Sequence, residues 1–327
     1  MASIMVVDIS IGDPRLPFHF LTVPTTDPTA LVITVSFASA LGIFICGALF
    51  NGRKRAVTEE SIIPEDLADS PYHAHPAGDL ATDLPSGKIP TAFYNSADLL
   101  GIGLIFLIFL GLVMASVHGP KDTEQVLGSG ALVTSIILQF FLAAIAILMV
   151  RRRMGPVAWL GLRWQQWPWV FVIAPCAVFA MWAMFLMLQL GGYMRWIESH
   201  GVETVQDTVQ LLQTATDPAI LGLMAFAAVI AAPLCEEIVF RGYLYPAAKK
   251  FAGPWVAGVF TALVFACAHA SLAALLPLFI FGLVLVFVYE KTGSLWAPIA
   301  IHFCFNGATV ALQLASRFLD LPLNPPS

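Results

Sequence analysis

Charged residues are scarce in this 327-residue sequence. Asp, Glu, Lys and Arg together make up 11% of the chain, whereas roughly a quarter of the residues in average soluble domains are charged. The formal net charge is −5, and the sequence has no basic stripe of the kind that binds nucleic acid. The composition therefore argues against an ordinary soluble domain and against a nucleic-acid-binding protein.

Cysteine is also sparse, and its five positions form no motif. No pair has the spacing of a zinc ribbon or of a redox-active dithiol. Each cysteine lies inside an apolar stretch, where free cysteine usually serves as a small buried side chain. We therefore expect no disulfide bonds among Cys46, Cys176, Cys235, Cys267 and Cys304.

Two further patterns are missing. The halves of the chain do not resemble each other as inverted repeats, which many transporters contain. Residues 1–30 mix polar and apolar residues with prolines and have no basic segment before an apolar core, so they do not match a cleavable signal peptide. We expect the first apolar segment to be an uncleaved anchor.

Long apolar segments, in contrast, are abundant. Hydrophobic residues make up 58% of the sequence, and a membrane-spanning helix needs about 20 consecutive apolar residues. The pattern predicts an all-α, polytopic bundle of about eight transmembrane helices. The predicted spans lie near residues 31–50, 98–117, 131–150, 168–190, 218–243, 254–272, 273–290 and 296–315.

The spans divide the chain into recognisable regions. Residues 51–97 contain prolines and scattered acids without helical periodicity, so we interpret them as a polar, flexible linker. The full predicted organisation is an N-terminal tail (1–30), a first anchor (31–50), this linker (51–97), transmembrane helices two to four (98–190), a last membrane domain (218–315) and a C-terminal tail (316–327).

Basic residues predict the orientation. Lys and Arg are enriched in the cytoplasmic loops of membrane proteins, and here they follow every second span. If the spans alternate, all these residues fall on one side, which should be the cytoplasm, with the N-terminus outside the plasma membrane. The residues are Arg53 to Arg55, Arg151 to Arg153, Lys249, Lys250 and Lys291.

The apolar spans contain a small set of ionisable residues. Such residues are costly within a bilayer and usually functional. Glu237 and Arg241 are four residues apart, so they share a helix face and can form a structural ion pair. Glu236 lies about 100° around the same helix, and we expect it to face a polar cavity.

Two later spans contribute histidines. His302 and Asn306 are four residues apart on one face, and His269 follows Phe265 by the same spacing. If these side chains meet Glu236, two chemistries are open. Glu236, His269 and His302 could bind zinc with one position left for water. Alternatively, Glu236 could act on water as a base without metal while His302 and Asn306 stabilise an oxyanion.

Three stretches resemble the motifs EExxxR, FxxxH and HxxxN/D of the CAAX protease and bacteriocin-processing (CPBP, or Abi) family. They are EEIVFR at 236–241, FACAH at 265–269 and HFCFN at 302–306. The resemblance covers about residues 218–315. Type II CAAX prenyl endopeptidases are the best-known members, and eukaryotic ones cleave prenylated proteins.

The resemblance implies an intramembrane endopeptidase that acts on a membrane-associated protein or peptide. It implies a catalytic site made of Glu236, Glu237, His269, His302 and Asn306. In this site Glu236 would be the catalytic glutamate, and His269 would orient or activate water. His302 and Asn306 would polarise the scissile carbonyl. The family is classed among metalloproteases, which makes zinc a candidate cofactor, although a metal-free glutamate mechanism is the alternative.

Two other functions fit the same residues. A non-catalytic binding or immunity protein could retain the motifs as a structural core, since polar side chains also join membrane helices by hydrogen bonds. A proton-coupled transporter could use the acids and histidines as a relay. The sequence contains no HExxH motif, so it does not indicate the class of zinc proteases that use this motif.

The predicted boundaries contain one conflict. Glu236 would lie near the cytoplasmic end of a span that stops at residue 243. His269, however, follows the start of the next span by about 15 residues, or roughly 22 Å of helix. Either the sixth helix begins outside the membrane, or the cavity is deep, or the boundaries are wrong.

Overall fold

A computed structural model describes residues 28–62, 89–118, 129–200, 202, 212 and 215–319. These residues are helical and contain no β-strand, which confirms the predicted all-α bundle. The principal helices are α1 Pro28–Ile62, α2 Ala97–His118, α3 Ser129–Val150, α4 Val170–Leu190, α5 Pro218–Ala252, α6 Pro254–Cys267, α7 Leu272–Thr292 and α8 Trp296–Phe318. Within the described ranges, seven of them are long and apolar enough to cross a membrane, so the chain is a multi-pass membrane protein.

Helix α6 is the exception in length. Its 14 residues extend about 21 Å at 1.5 Å per residue, which is less than the roughly 30 Å of a bilayer core. The helix packs against α1, α5 and α7, and its Phe260 and Phe265 are fully buried. Protein, rather than lipid, therefore surrounds this helix.

The first helix is longer than the predicted anchor. Helix α1 continues to Ile62, twelve residues beyond the predicted end at residue 50 and into the segment predicted as a linker. The rest of that linker up to residue 88 lies outside the described residues. Most of the predicted N-terminal tail and residues 320–327 also lie outside them.

Helix α5 contains two π-helical segments, Ala227–Ala231 and Ile238–Leu244. Pro233 and Pro246 explain their positions. A proline has no N–H, and its ring clashes with the carbonyl four residues earlier in an α-helix. Those two carbonyls lie inside the two π-helical segments, where the wider turn relieves the clash. The paired glutamates occupy the α-helical stretch between them.

Helices α5 and α6 form a hairpin that resolves the conflict over depth. Gly253 connects them in a left-handed conformation with φ of 82°. Arg241 precedes Gly253 by 12 residues and Phe265 follows it by 12, and the Arg241 guanidinium carbon lies 4.5 Å from the Phe265 ring centre. By the same count, Glu236 and His269 lie at one level. The predicted end of the fifth span at residue 243 was wrong, because α5 continues for nine more residues to Ala252.

The ends of α1, α3, α5 and α7 lie together at one end of the bundle. We call this the basic end, because Lys and Arg lie there, within α1, α5 and α7 and just after α3. Three polar contacts join helices there: Asn51 Nδ2 to the Phe251 carbonyl at 2.8 Å, Arg153 Nη1 to Asp98 Oδ2 at 2.6 Å, and Lys249 to Glu290. The basic residues therefore lie at one end of the bundle, as alternating spans predict.

The described cysteines are all free, so the structure contains no disulfide bond among them. Cys235 and Cys267 are buried as expected, and Cys304 is partly buried. Cys46 and Cys176 are instead exposed. They lie on α1 and α4, whose outward faces are apolar and meet lipid in a membrane.

Candidate active site

Glu237 is the centre of a buried polar cluster. Its side chain is completely buried, and its Oε1 accepts a hydrogen bond from Arg241 Nη1 at 2.8 Å. The same oxygen lies 2.9 Å from Nδ1 of His302 on α8. The structure thus contains the ion pair that the four-residue spacing indicates, and it adds a histidine that the spacing alone could not place there.

This contact fixes the tautomer of His302. An ionised carboxylate only accepts hydrogen bonds, so Nδ1 of His302 carries the proton that is donated to Glu237. The neutral ring then has a lone pair on Nε2, which lies 3.9 Å from Oε2 of Glu236. In this form His302 can accept a proton. It can donate to an oxyanion through Nε2 only as an imidazolium.

Glu236 has different surroundings from its neighbour. Its side chain is 17% exposed, and its Oε2 makes no hydrogen bond within the described part of the chain. The 3.9 Å separation from His302 Nε2 is too long for a direct hydrogen bond but suits a bridging water molecule. Glu236 is therefore the carboxylate of the pair that can act on a small molecule or substrate.

His269 lies in the turn between α6 and α7. Its Nδ1 is 2.8 Å from the Phe265 carbonyl oxygen, and its ring centre is 4.9 Å from the Phe265 ring centre. Since a carbonyl only accepts, Nδ1 carries the proton and Nε2 is left with a lone pair. Ala270 follows with φ of 50°, which turns the chain sharply into α7. Both imidazoles are therefore oriented through Nδ1.

Asn306 has a partner that the sequence did not predict. Its side chain is buried, and its Nδ2 donates a hydrogen bond to the Ala228 carbonyl at 2.8 Å. Ala228 lies in the first π-helical segment of α5. One hydrogen of the Asn306 side-chain amide is therefore bonded to the backbone of α5. If Asn306 polarises a substrate carbonyl, as predicted, it must use the second hydrogen of this amide.

Aromatic rings enclose these polar groups. Phe265 is fully buried. Its ring lies 4.5 Å from the Arg241 guanidinium carbon and meets the His269 ring edge-on. The ring of Phe281 lies 5.3 Å from that of His302. Rings around a charged cluster lower the local dielectric, which strengthens the contacts among Glu237, Arg241 and His302. The FxxxH spacing indicated Phe265, whereas nothing in the sequence marked Phe281.

The predicted zinc ligands do not form a metal-binding group. Nowhere in the described ranges do three or more His, Cys, Asp or Glu side chains converge as metal ligands would. Catalytic zinc sites use three protein ligands, and among the predicted ligands Glu236 Oε2 lies 3.9 Å from His302 Nε2. This geometry does not fit zinc, and the mechanism proposed below contains no metal-dependent step.

The fold and this cluster define a polytopic membrane protein with a buried centre of carboxylates and imidazoles. A family model described as type II CAAX prenyl endopeptidase Rce1-like matches residues 218–308. The putative membrane peptidase YdiL of Bacillus subtilis is 29% identical over 117 residues, which cover 36% of this chain and 44% of YdiL. The chain thus matches less than half the length of this relative. No solved structure matches significantly. These matches confirm the resemblance to the CPBP family.

Proposed function

We propose that the protein is an intramembrane endopeptidase in which Glu236 activates water. The observation that carries this proposal is the pairing of Glu236 Oε2 with His302 Nε2 at 3.9 Å, where Glu237 orients the imidazole. The three residues lie within the segment that matches the prenyl endopeptidase family. A general base must lie within hydrogen-bonding reach of the proton that it takes, directly or through one water molecule.

The proposed reaction balances without a metal. Glu236 removes a proton from water as the water oxygen bonds to the carbonyl carbon of the scissile peptide. Protonated Glu236 then donates this proton to the leaving amine as the carbon–nitrogen bond breaks, which regenerates the carboxylate. His302 and His269 orient the water through their Nε2 atoms. The free N–H of Asn306 stabilises the developing oxyanion.

The proposed substrate is a membrane-associated protein or peptide. The family description and the name of YdiL support this class, and an active site between membrane helices is reached most easily by a substrate held at the bilayer. Within this class we propose a C-terminal segment attached to a prenyl chain. This narrower proposal rests on the family description alone.

The test compares Glu236→Gln with the wild type. Both proteins, reconstituted in liposomes, receive a farnesylated peptide ending in a CAAX sequence and a matched peptide without the farnesyl group. We expect Glu236→Gln to cleave at least about 100-fold more slowly, the lower range for general acid–base catalysis. Glu198→Gln, a change at an exposed acid on the short helix Tyr193–Glu198, should cleave like the wild type.

The outcomes separate the candidate functions. Undiminished cleavage by Glu236→Gln would overturn the catalytic role of this residue. Equal cleavage of both peptides would support the peptidase but remove the prenyl specificity. If the wild type cleaves neither peptide, membrane proteins from cells with wild-type or Glu236→Gln protein can be compared by mass spectrometry for C-termini that lengthen in the variant.

A further inference from the structure

Two aromatic side chains from outside the matched segment contact the backbone of α5. Trp159, in the short helix Pro156–Trp159, donates from Nε1 to the Gly242 carbonyl at 2.8 Å. Tyr94, which precedes α2, donates from its hydroxyl to the same carbonyl at 3.2 Å. The Trp159 Nε1 also lies 3.1 Å from the Tyr94 hydroxyl oxygen. One carbonyl of the candidate catalytic helix therefore has two side-chain donors.

The sequence explains why this carbonyl needs them. In an α-helix the Gly242 carbonyl would accept from the N–H of residue 246, but residue 246 is proline and has none. Gly242 lies in the second π-helical segment, Ile238–Leu244. A buried carbonyl without a donor is costly, and π-helical turns cluster at functional sites. Trp159 and Tyr94 thus donate to the carbonyl whose α-helical donor is missing at Pro246.

The packing around Gly242 permits this contact. A side chain at position 242 would meet Cδ2 of Leu160 at 2.9 Å, so glycine permits the close approach of the Trp159–Leu160 turn. Trp159 and Tyr94 are both buried. Burial raises the pKa of the Tyr94 phenol well above its ordinary range, so the hydroxyl remains a donor.

Gly242 is covalently next to the active-site cluster. The preceding residue, Arg241, binds Glu237 at 2.8 Å, and Glu237 binds His302 at 2.9 Å. A π-helical turn contains one more residue than an α-helical turn, so its loss would rotate one side of α5 against the other by about 100°. Residues beyond the segment are fixed at the basic end through the contact of Lys249 with Glu290. The rotation would therefore displace Glu236 and Glu237.

We infer that Trp159 and Tyr94 are positioning residues for catalysis, which hold the π-helical segment so that Glu236 and Glu237 face His302. This inference rests on the proposed function. It assigns a role to the part of the chain before residue 218, which the family model does not match.

The experiment removes each donor while keeping an aromatic side chain at the position. Trp159→Phe and Tyr94→Phe each leave one donor for the Gly242 carbonyl, so we expect kcat within about threefold of the wild type. The double variant removes both side-chain donors, and we expect kcat to fall about 30-fold or more with KM unchanged, a loss larger than the product of the single effects. All rates are measured well below the Tm of each variant. Trp167→Phe, at an exposed tryptophan, is the matched control.

Hydrogen exchange gives a readout that does not depend on activity. Amides of residues 238–246 should exchange faster in the double variant, while those of α6 should not. If the double variant does not fold, Trp159→Phe alone should show the same local increase, because it removes the shorter of the two bonds. Unchanged exchange, or a lower Tm with a normal kcat, would overturn the inference. A wild-type protein that cleaves nothing would instead contradict the proposed function, and the exchange result would still decide the positioning role.

Discussion

Glu236 and Glu237 are neighbours in the chain, but their environments predict opposite results of substitution. Glu237 is fully buried and binds both Arg241 and His302. Removing one partner of a buried ion pair leaves an uncompensated charge and typically costs about 3–5 kcal/mol. We therefore expect Glu237→Gln to lower the free energy of unfolding by several kcal/mol, whereas Glu236→Gln removes activity with little change in stability. Thermal unfolding in detergent measures the difference.

A second substitution tests the cause of this destabilisation. If the loss arises from the unpaired guanidinium, Glu237→Gln combined with Arg241→Met should be more stable than Glu237→Gln alone, because the double change removes both charges. Equal Tm values for Glu236→Gln and Glu237→Gln would contradict the division of roles between the two glutamates.

The separation of the candidate ligands leads to a prediction about metal. Because no group of three His, Cys, Asp or Glu side chains converges within the described residues, we expect cleavage to continue unchanged after treatment with 1,10-phenanthroline and dialysis into metal-free buffer. Metal analysis of the active protein should give well under one zinc per chain. A loss of activity that added zinc restores would contradict this expectation and would support the zinc site implied by the family resemblance.

For single residues, sequence spacing predicted contacts within one helix but not contacts between helices. The four-residue separation of Glu237 and Arg241 is enough to indicate their contact, because both lie on one helix. The contact of His302 with Glu237, and of Asn306 with the Ala228 carbonyl, depends on how α8 packs against α5. One sequence carries no information on that packing, so these partners could not be predicted. The catalytic roles assigned to the five site residues stay predictions.

Close packing of α6 against α7 gives a prediction for whole helices. A side chain added at Gly282 of α7 would meet the Ala262 Cα and Cβ atoms at 3.0 Å, and backbone cannot move aside cheaply. The Gly282 carbonyl also accepts a bond from Arg241 Nη2 at 3.2 Å. We expect Gly282→Ala to destabilise the protein by about 1–3 kcal/mol, as overpacking does, and to slow cleavage because Arg241 shifts.

Gly258 of α6 provides the matched control. A side chain there would meet Val286 Cγ1 at 3.5 Å, an ordinary contact distance. We expect Gly258→Ala to be neutral or to stabilise the helix by up to about 1 kcal/mol, because alanine favours helices more than glycine does. Chemical unfolding of the two variants side by side measures both effects. Similar losses in the two would show that helix spacing is not the cause.

The helices themselves were largely predictable, because long apolar segments can satisfy their backbone in a membrane only as helices. The shape of α5 was harder to predict. Pro233 and Pro246 are visible in the sequence, but an apolar run containing prolines does not show whether the helix ends, kinks or widens into π-helical turns. Trp159 shows a similar limit. Its burial and its bond to the Gly242 carbonyl depend on tertiary packing, which the sequence does not show.

Across the whole molecule, the later helices carry the candidate site, whereas the earlier helices contact the end of α5. Helices α5 to α8 contribute every residue of the active-site cluster. The earlier part contributes contacts at the basic end, such as Tyr243 Oη with Asp98 Oδ1 at 3.1 Å and Asn51 with the Phe251 carbonyl. The earlier helices therefore contact α5 at the basic end.

The side of the membrane on which the basic end lies can be measured. Arg152 is exposed just after α3 at this end, whereas Ser199 is exposed beyond α4 at the opposite end. Since basic residues favour the cytoplasmic side, a single cysteine at Arg152→Cys in a cysteine-free background should react with a membrane-impermeant maleimide only in inside-out vesicles. Ser199→Cys should react only in right-side-out vesicles. The reverse pattern would place the basic end outside and would contradict the predicted cytoplasmic location of the basic residues.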